Sequence, residues 1–193
     1  MDFLTTDPEK YDRVTHIQLD PSCSGSGMTN RLKFGEYADQ ELTKDTKRLW
    51  NLEALQRRMV SHAMSYPSVE RIVYSTCSIH EEENENVVRY ALKHHRQFRL
   101  VNIFEGQWKS GRGIVKSNRD RRLNLDYCIR TSYSSNFTNG FFISCFERMT
   151  DEEMQQNPEI MDEEENEENA DKNEQNETGD QIADQAKNEM DSS

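Results

Sequence analysis

The order of apolar and polar residues along the chain predicts alternating strands and helices. Residues 14–20 alternate and are rich in β formers, which indicates a strand. From Leu42 the apolar residues recur every three or four positions, which predicts an amphipathic helix that ends before Pro67. Residues 71–76 predict a second strand. Residues 81–95 predict a second helix with acids at its start and basic residues at its end, as the helix macrodipole favours.

This order of elements predicts an α/β fold. Strand, loop, helix, strand, loop, helix is a βαβα unit, which implies a parallel sheet with right-handed crossovers. Residues 98–104 and 140–148 are strand-like with no clear helix between them, which predicts a terminal antiparallel hairpin. We therefore expect an open α/β sheet that is mostly parallel, with an antiparallel hairpin at its end.

Composition divides the chain into two unlike pieces. The whole chain has a net charge of −12, yet residues 151–193 hold 17 acidic and only 2 basic residues. Such a segment buries too little apolar surface to offset its chain entropy, which predicts an acidic disordered tail. Residues 1–150 are nearly neutral and long enough to bury a core, which predicts one folded domain.

Several classes of protein are excluded by the same sequence. No apolar run approaches the ~20 residues of a membrane span, and residues 1–10 lack the apolar stretch of a secretory signal. Four widely spaced cysteines without a CxxC pair disfavour a zinc site or a disulfide scaffold. We expect no metal site, and reduced thiols in the cytosol or nucleus.

The candidate chemistry lies where the first two predicted strands end. Asp20 ends the first strand and leads into a small-residue loop that contains Cys23, and Cys77 follows the second strand. Ligands of open α/β sheets bind beyond the carboxyl ends of the strands, so the two thiols should face one site. A tuned thiolate is a strong nucleophile. Cys128 and Cys145 are interpreted as small buried hydrophobic residues.

Two other chemistries fit the loop less well. The Gly25-Ser26-Gly27 segment lacks the lysine of a phosphate-binding loop, which disfavours nucleotide hydrolysis. Cys77 and His80 could suggest a Cys–His hydrolase, but three residues past a strand end is poor geometry for a general base.

The motifs around these residues resemble those of the Sun-domain RNA cytosine-5 methyltransferases. They are DPSCSGSGM at residues 20–28, YSTCSI at 74–79, EENE at 82–85 and GFF at 140–142. The form DPSCSGSG is most similar to the subfamily that methylates a cytosine of large-subunit ribosomal RNA. The resemblance covers residues 1–148, and the two cysteine motifs in this order are highly specific together. It implies that residues 1–150 form a partial catalytic domain, with the C-terminal half of a doubly wound, Rossmann-like sheet.

The resemblance implies a role for each candidate residue. Cys77 would add to C6 of cytosine, and C5 would then take a methyl group from S-adenosylmethionine. Cys23 would assist removal of the C5 proton and release of the covalent adduct. Asp20 would lie by the target base and the methyl end of the cofactor, and Asp2 resembles the aspartate that contacts the adenine. The implied partner is RNA, and the implied location is the nucleus or nucleolus, with the cytosol as the alternative.

The chain departs from the family pattern in three places. Ser22 replaces the proline that usually precedes the cysteine, as in the ribosomal RNA subfamily, and Tyr133 replaces a common proline. No Gly-rich strand-to-helix loop precedes Asp20, so we expect the chain to be a C-terminal fragment or a truncated gene product. The alternative function is a catalytically inactive RNA- or ribosome-binding remnant.

Charge adds two further predictions, one for residues 96–130 and one for the acidic tail. Residues 96–130 hold nine Lys and Arg interleaved with Trp108 and Tyr127, a pattern that suits single-stranded RNA or a solvated basic loop. The acidic tail is interpreted as a solubilising segment that could also contact basic partners. We expect a monomer.

Overall fold

The structure is a computed structural model that describes residues 2–28, 46–105, 107–108 and 111–155. Within these residues, five strands form one sheet. The strands are β1 (His16–Leu19), β2 (Arg71–Thr76), β3 (Phe98–Leu100), β4 (Ile129–Thr131) and β5 (Phe141–Arg148). Their order in the sheet is β1-β2-β5-β3, and β4 pairs with β5. The α/β fold class is therefore confirmed.

The direction of the strands matches the sequence prediction. β1 and β2 are parallel, whereas β5 is antiparallel to β2, β3 and β4. Four strands thus run one way and β5 alone runs the other way. The two strand-like segments near the end of the domain pair antiparallel, with Phe98 opposite Arg148. The prediction of a mostly parallel sheet with an antiparallel end is confirmed.

Two details of the sheet differ from the prediction. β3 ends at Leu100 rather than at residue 104, because the chain turns there and Phe104 adopts a positive φ of 57°. The three residues of β4 were not predicted, since a segment this short shows no alternation of its own.

The helices are α1 (Thr46–Met64), α2 (Glu85–His94), α3 (Asn118–Arg122), α4 (Tyr133–Asn136) and α5 (Asp151–Gln155). Short 3-10 turns lie at Phe3–Thr5, Pro8–Tyr11 and Leu125–Tyr127. α1 ends before Pro67 as predicted. Residues 42–45 of the predicted helix lie outside the described residues. α2 begins at Glu85 rather than Glu81, because the side chain of Asn84 bonds the strand end instead of continuing the helix.

The core forms where α1 and α2 pack against each other and against the sheet. Apolar residues recur on one face of each helix. Four of the six residues of β2 and four of the eight residues of β5 are buried. The fully buried side chains include Val60 and Met64 of α1, Ile72 and Tyr74 of β2, Val87, Val88 and Ala91 of α2, and Phe142 and Phe146 of β5.

The core unit spans residues 1–149, and a second unit begins at Thr150. In this second unit Thr150 and Glu153 exchange hydrogen bonds as a capping box, and α5 follows. A disordered tail was predicted from residue 151, so for the five residues of α5 that prediction is wrong. The rest of the tail lies outside the described residues. None of the helices in the described ranges is long and apolar enough to span a membrane.

Candidate active site

Cys23 and Cys77 lie together at the ends of neighbouring strands. Cys23 belongs to the loop after β1, and Cys77 directly follows β2. The parallel pairing of β1 with β2 brings both strand ends to the same edge of the sheet. The two sulfur atoms are 3.1 Å apart and both thiols are free and half-buried. The predicted meeting of the two thiols is therefore confirmed.

The surroundings of Cys23 favour its protonated form. Burial, followed by the hydrogen bond to Cys77, raises the pKa of the Cys23 thiol to about 11. Backbone hydrogen bonds from Gly25 and Cys77 oppose this change and are too weak to reverse it. At neutral pH Cys23 therefore carries its proton and can donate it to the sulfur of Cys77.

Main-chain hydrogen bonds join the two cysteine loops to the start of β5. Gly27 N donates to Cys77 O at 2.9 Å, and Gly140 N donates to Gly27 O at 2.8 Å. The chains approach so closely that a Cβ on Gly27 would lie 2.2 Å from Gly140 O. Only glycine fits at this contact, which explains why the motif loop and the GFF segment both carry one.

A buried carboxylate, that of Glu83, connects the same loops through side chains. Glu83 is fully buried, and its Oε1 accepts hydrogen bonds from Ser24 N at 2.8 Å and from Gln56 Nε2 at 3.1 Å. Its Oε2 accepts from Ser78 Oγ at 2.5 Å. The residues beside both cysteines and one residue of α1 therefore share a single acceptor. This role was not predicted, because in the sequence Glu83 is one member of an acidic run.

A second network shapes the turn that presents Cys77. Thr76 Oγ1 donates to Asn84 Oδ1 at 2.6 Å, and Asn84 Nδ2 donates to Ser78 O at 2.9 Å. Ser78 N donates back to Thr76 Oγ1 at 3.2 Å. These bonds satisfy the polar groups that become buried when β2 ends.

A buried ion pair also supports the turn that presents Cys77. Arg130 of β4 donates two hydrogen bonds to the fully buried Glu85, at 2.6 and 2.5 Å, and a third to Ile79 O at 3.0 Å. Glu85 was interpreted as one of several acids that complement the dipole of α2. It instead fixes β4 and the segment after Cys77 to the start of that helix.

The other two cysteines are interior residues, as predicted. Cys128 and Cys145 are buried, and burial raises the pKa of each thiol. In the described part of the chain, no group of three or more His, Cys, Asp and Glu side chains could hold a metal ion.

Three of the nine basic residues of the stripe predicted at residues 96–130 are paired with acids. Arg99 pairs with Glu147, and Lys116 pairs with Glu81. Arg130 is held by Glu85. Trp108 Nε1 donates to Gly111 O, and the ring of Tyr127 packs against the core. Counting charges along one segment missed these pairs because the acids come from other segments.

A family model and several known proteins match most of the chain. The model of the family described as 16S rRNA methyltransferase RsmB/F matches residues 2–147. The chain belongs to this family. It is 41% identical over 150 residues to the mouse 28S rRNA (cytosine-C(5))-methyltransferase, with 76% of this chain and 30% of that protein covered. It is 37% identical over 147 residues to the fission yeast 25S rRNA (cytosine-C(5))-methyltransferase rcm1, with 74% and 32% covered.

The chain spans about a third of the length of these RsmB/F relatives. Among solved structures, it resembles a methyltransferase homologue from Pyrococcus horikoshii with a TM-score of 0.50 and 24% identity. The match covers 69% of this chain and 39% of that one, and at this identity it supports the fold alone.

Members of the RsmB/F family use S-adenosylmethionine, and two aspartates were predicted to contact it. Asp20 fits, because it is exposed at the carboxyl end of β1, and its carboxylate accepts a long hydrogen bond, 3.4 Å, from Ser75 Oγ. A carboxylate there suits the positive charge of a sulfonium. Asp2 is exposed, but its carboxylate caps the first 3-10 turn by accepting from Leu4 N at 3.1 Å. That contact is local and does not connect Asp2 with the thiols.

Proposed function

We propose that this chain forms the cytosine-adding part of an RNA cytosine-5 methyltransferase, with large-subunit ribosomal RNA as substrate and S-adenosylmethionine as methyl donor. The observation that carries the proposal is the 3.1 Å approach of Cys23 and Cys77 at adjoining strand ends. The names of the mouse and fission yeast relatives support the substrate. Such a substrate favours a nuclear or nucleolar location.

In this proposal Cys77 is the nucleophile. Cytosine C5 is a poor nucleophile, and covalent addition at C6 replaces one difficult step with easier ones. The Cys77 thiolate forms a bond to C6, and the electron pair of the C5–C6 double bond moves to activate C5. S-adenosylmethionine supplies the methyl group that C5 then takes. A hydrogen bond from the Cys23 thiol stabilises the Cys77 thiolate before addition.

Cys23 completes the reaction. The methylated adduct still holds a proton on C5. Cys23, which is protonated at neutral pH, assists the removal of this proton, and the proton passes to solvent. The released electron pair restores the C5–C6 double bond, the C6–S bond breaks, and Cys77 leaves as a thiolate.

The target base must leave its stack to reach thiols that are half-buried. Asp20, exposed at the end of β1, is placed to accept a hydrogen bond from that base or to face the methyl donor.

Two cysteine variants of the full-length gene product test these roles. We expect Cys77→Ala to abolish methylation of ribosomal RNA and to form no adduct. We expect Cys23→Ala to accumulate a protein–RNA band that survives denaturation, because release is blocked. Cys145→Ala, which changes a thiol in the core, is the control and should keep activity. Trapping by Cys77→Ala instead of Cys23→Ala would show that the roles are exchanged.

Cofactor binding separates the enzyme from a remnant that binds RNA without catalysis. Titration calorimetry with S-adenosylmethionine should give saturable heat if the proposal holds for the protein used. Absence of heat at millimolar cofactor, together with retained RNA binding, would favour the remnant.

A further inference from the structure

Two exposed aromatic rings lie on the segment between β4 and β5. Tyr133 begins α4 and is 68% exposed, and Phe137 follows α4 and is 84% exposed. Their ring centroids are 6.4 Å apart in an edge-to-face arrangement. This pair leaves apolar surface in water that a folded protein normally buries.

The backbone of Phe137 gives no reason for a large residue at this position. Its φ is 53°, in the left-handed region that glycine or asparagine adopts at the end of a helix. A bulky residue in this conformation is strained. Since neither burial nor backbone geometry explains the phenylalanine, its ring is the feature to be explained.

The aromatic pair is attached to the thiol site. Thr131 Oγ1 donates to Asn139 O at 2.6 Å and closes the segment, and Gly140 N then bonds to the Cys23 loop at Gly27 O. A Cβ on Gly140 would lie 2.7 Å from the side chain of Ile79, two residues after Cys77. Phe137 is three residues from Gly140, so their Cα atoms are at most ~11 Å apart.

The chemistry of the segment favours bases over phosphates. Residues 131–140 contain no charged side chain, and Ile79 beside them is 52% exposed. A phosphate would need cations, whereas an uncharged aromatic surface suits the flat face of a nucleobase.

We propose that Tyr133 and Phe137 stack against unpaired bases of the RNA that flank the target cytosine. This inference rests on the proposed function, because that function makes the neighbouring thiols the site of the target base. Stacking there would hold the strand while the target base is turned out.

RNA binding by variants of the full-length gene product tests the inference. Phe137→Gly removes the ring and relieves the left-handed strain, so it should fold at least as stably as the wild type. Tyr133→Ala combined with Phe137→Gly removes the pair. The control is Trp50→Ala on α1, which removes another exposed aromatic ring, 61% exposed.

The probe is a fluorescein-labelled single-stranded oligoribonucleotide with one cytosine, flanked either by purines or by abasic sites. For the purine probe we expect the double variant to raise Kd about tenfold or more, because stacking contributes ~1–3 kcal/mol per base. The KM for methylation should rise with kcat unchanged, and Trp50→Ala should change neither. On the abasic probe the wild type and the double variant should bind equally.

An unchanged Kd in the double variant, or an equal loss on the abasic probe, would overturn the stacking inference. The cysteine roles are read separately. If the double variant methylated RNA with the kcat and KM of the wild type, the stacking inference would be refuted and the cysteine mechanism would stand. If the double variant bound RNA more weakly but Cys77→Ala methylated RNA fully, the cysteine mechanism would be refuted and the stacking inference would stand.

Discussion

Removal of the Glu83 carboxylate should loosen both cysteine loops at once. In Glu83→Ala, Ser24 N loses its carboxylate acceptor, whereas Gln56 keeps its second bond, to Ser22 O at 3.0 Å. The hydroxyl of Ser78 keeps a neighbour in Ser26 Oγ at 3.2 Å. All three donors therefore lose their carboxylate partner, and Gln56 and Ser78 each keep another contact.

An unsatisfied buried donor costs about 1–3 kcal/mol, so we expect Glu83→Ala to lower the free energy of unfolding by about 2–4 kcal/mol. Urea unfolding followed by tryptophan fluorescence measures this change. Glu70→Ala, which removes an exposed carboxylate, should change it by less than about 0.5 kcal/mol. Adduct formation by Glu83→Ala should fall further than the loss of folded protein explains, because the cysteine loops are no longer held together.

The reasoning would be refuted if Glu83→Ala matched the wild type in urea, or if Glu70→Ala lost as much stability. A destabilised Glu83→Ala protein that formed adduct in proportion to its folded fraction would limit Glu83 to a structural role.

Three other properties follow from the same contacts. Because its pKa is raised to about 11, the Cys23 thiol should react slowly with iodoacetamide at pH 8, and the rate should keep rising to about pH 11. Peptide mapping measures the rate at each pH, and a rate profile with its midpoint near pH ~8.5 would contradict this prediction. The hydrogen bond from Arg89 lowers the pKa of Asp120 below its unfolded value, so its stabilising effect is present above about pH 4 and is lost as the pH falls further. Asp120→Asn should therefore be less stable than the wild type to urea at pH 6 and closer to it at pH 3, and an equal difference at both pH values would exclude this coupling. Gly27→Ala should destabilise the fold and reduce adduct formation, because its methyl group would lie 2.2 Å from Gly140 O, and unchanged melting would show that the contact yields easily.

Local pattern was sufficient to predict the elements that position the thiols. The residues of β2 were predicted without error, and the ends of β1 and β2 located Cys23 and Cys77 because parallel neighbours end at the same edge. The resemblance of the two cysteine motifs added the chemistry. Both signals are carried by short, contiguous stretches of residues.

The supporting contacts could not be predicted in the same way, because they join distant segments. The three glutamates at 81, 83 and 85 look alike in sequence, yet the fold gives each a different partner. Glu85 meets Arg130, which lies 45 residues away. The same long-range pairing joins Lys116 and Arg130 of the predicted basic stripe to acids. Only the folded arrangement shows these pairs.

The most direct test of the two-thiol mechanism is to locate the covalent bond to RNA. Tryptic and nuclease digestion of the adduct formed by Cys23→Ala, followed by tandem mass spectrometry, should place the nucleotide mass on Cys77. A nucleotide on any other residue, or an adduct of equal yield in Cys77→Ala, would contradict the mechanism.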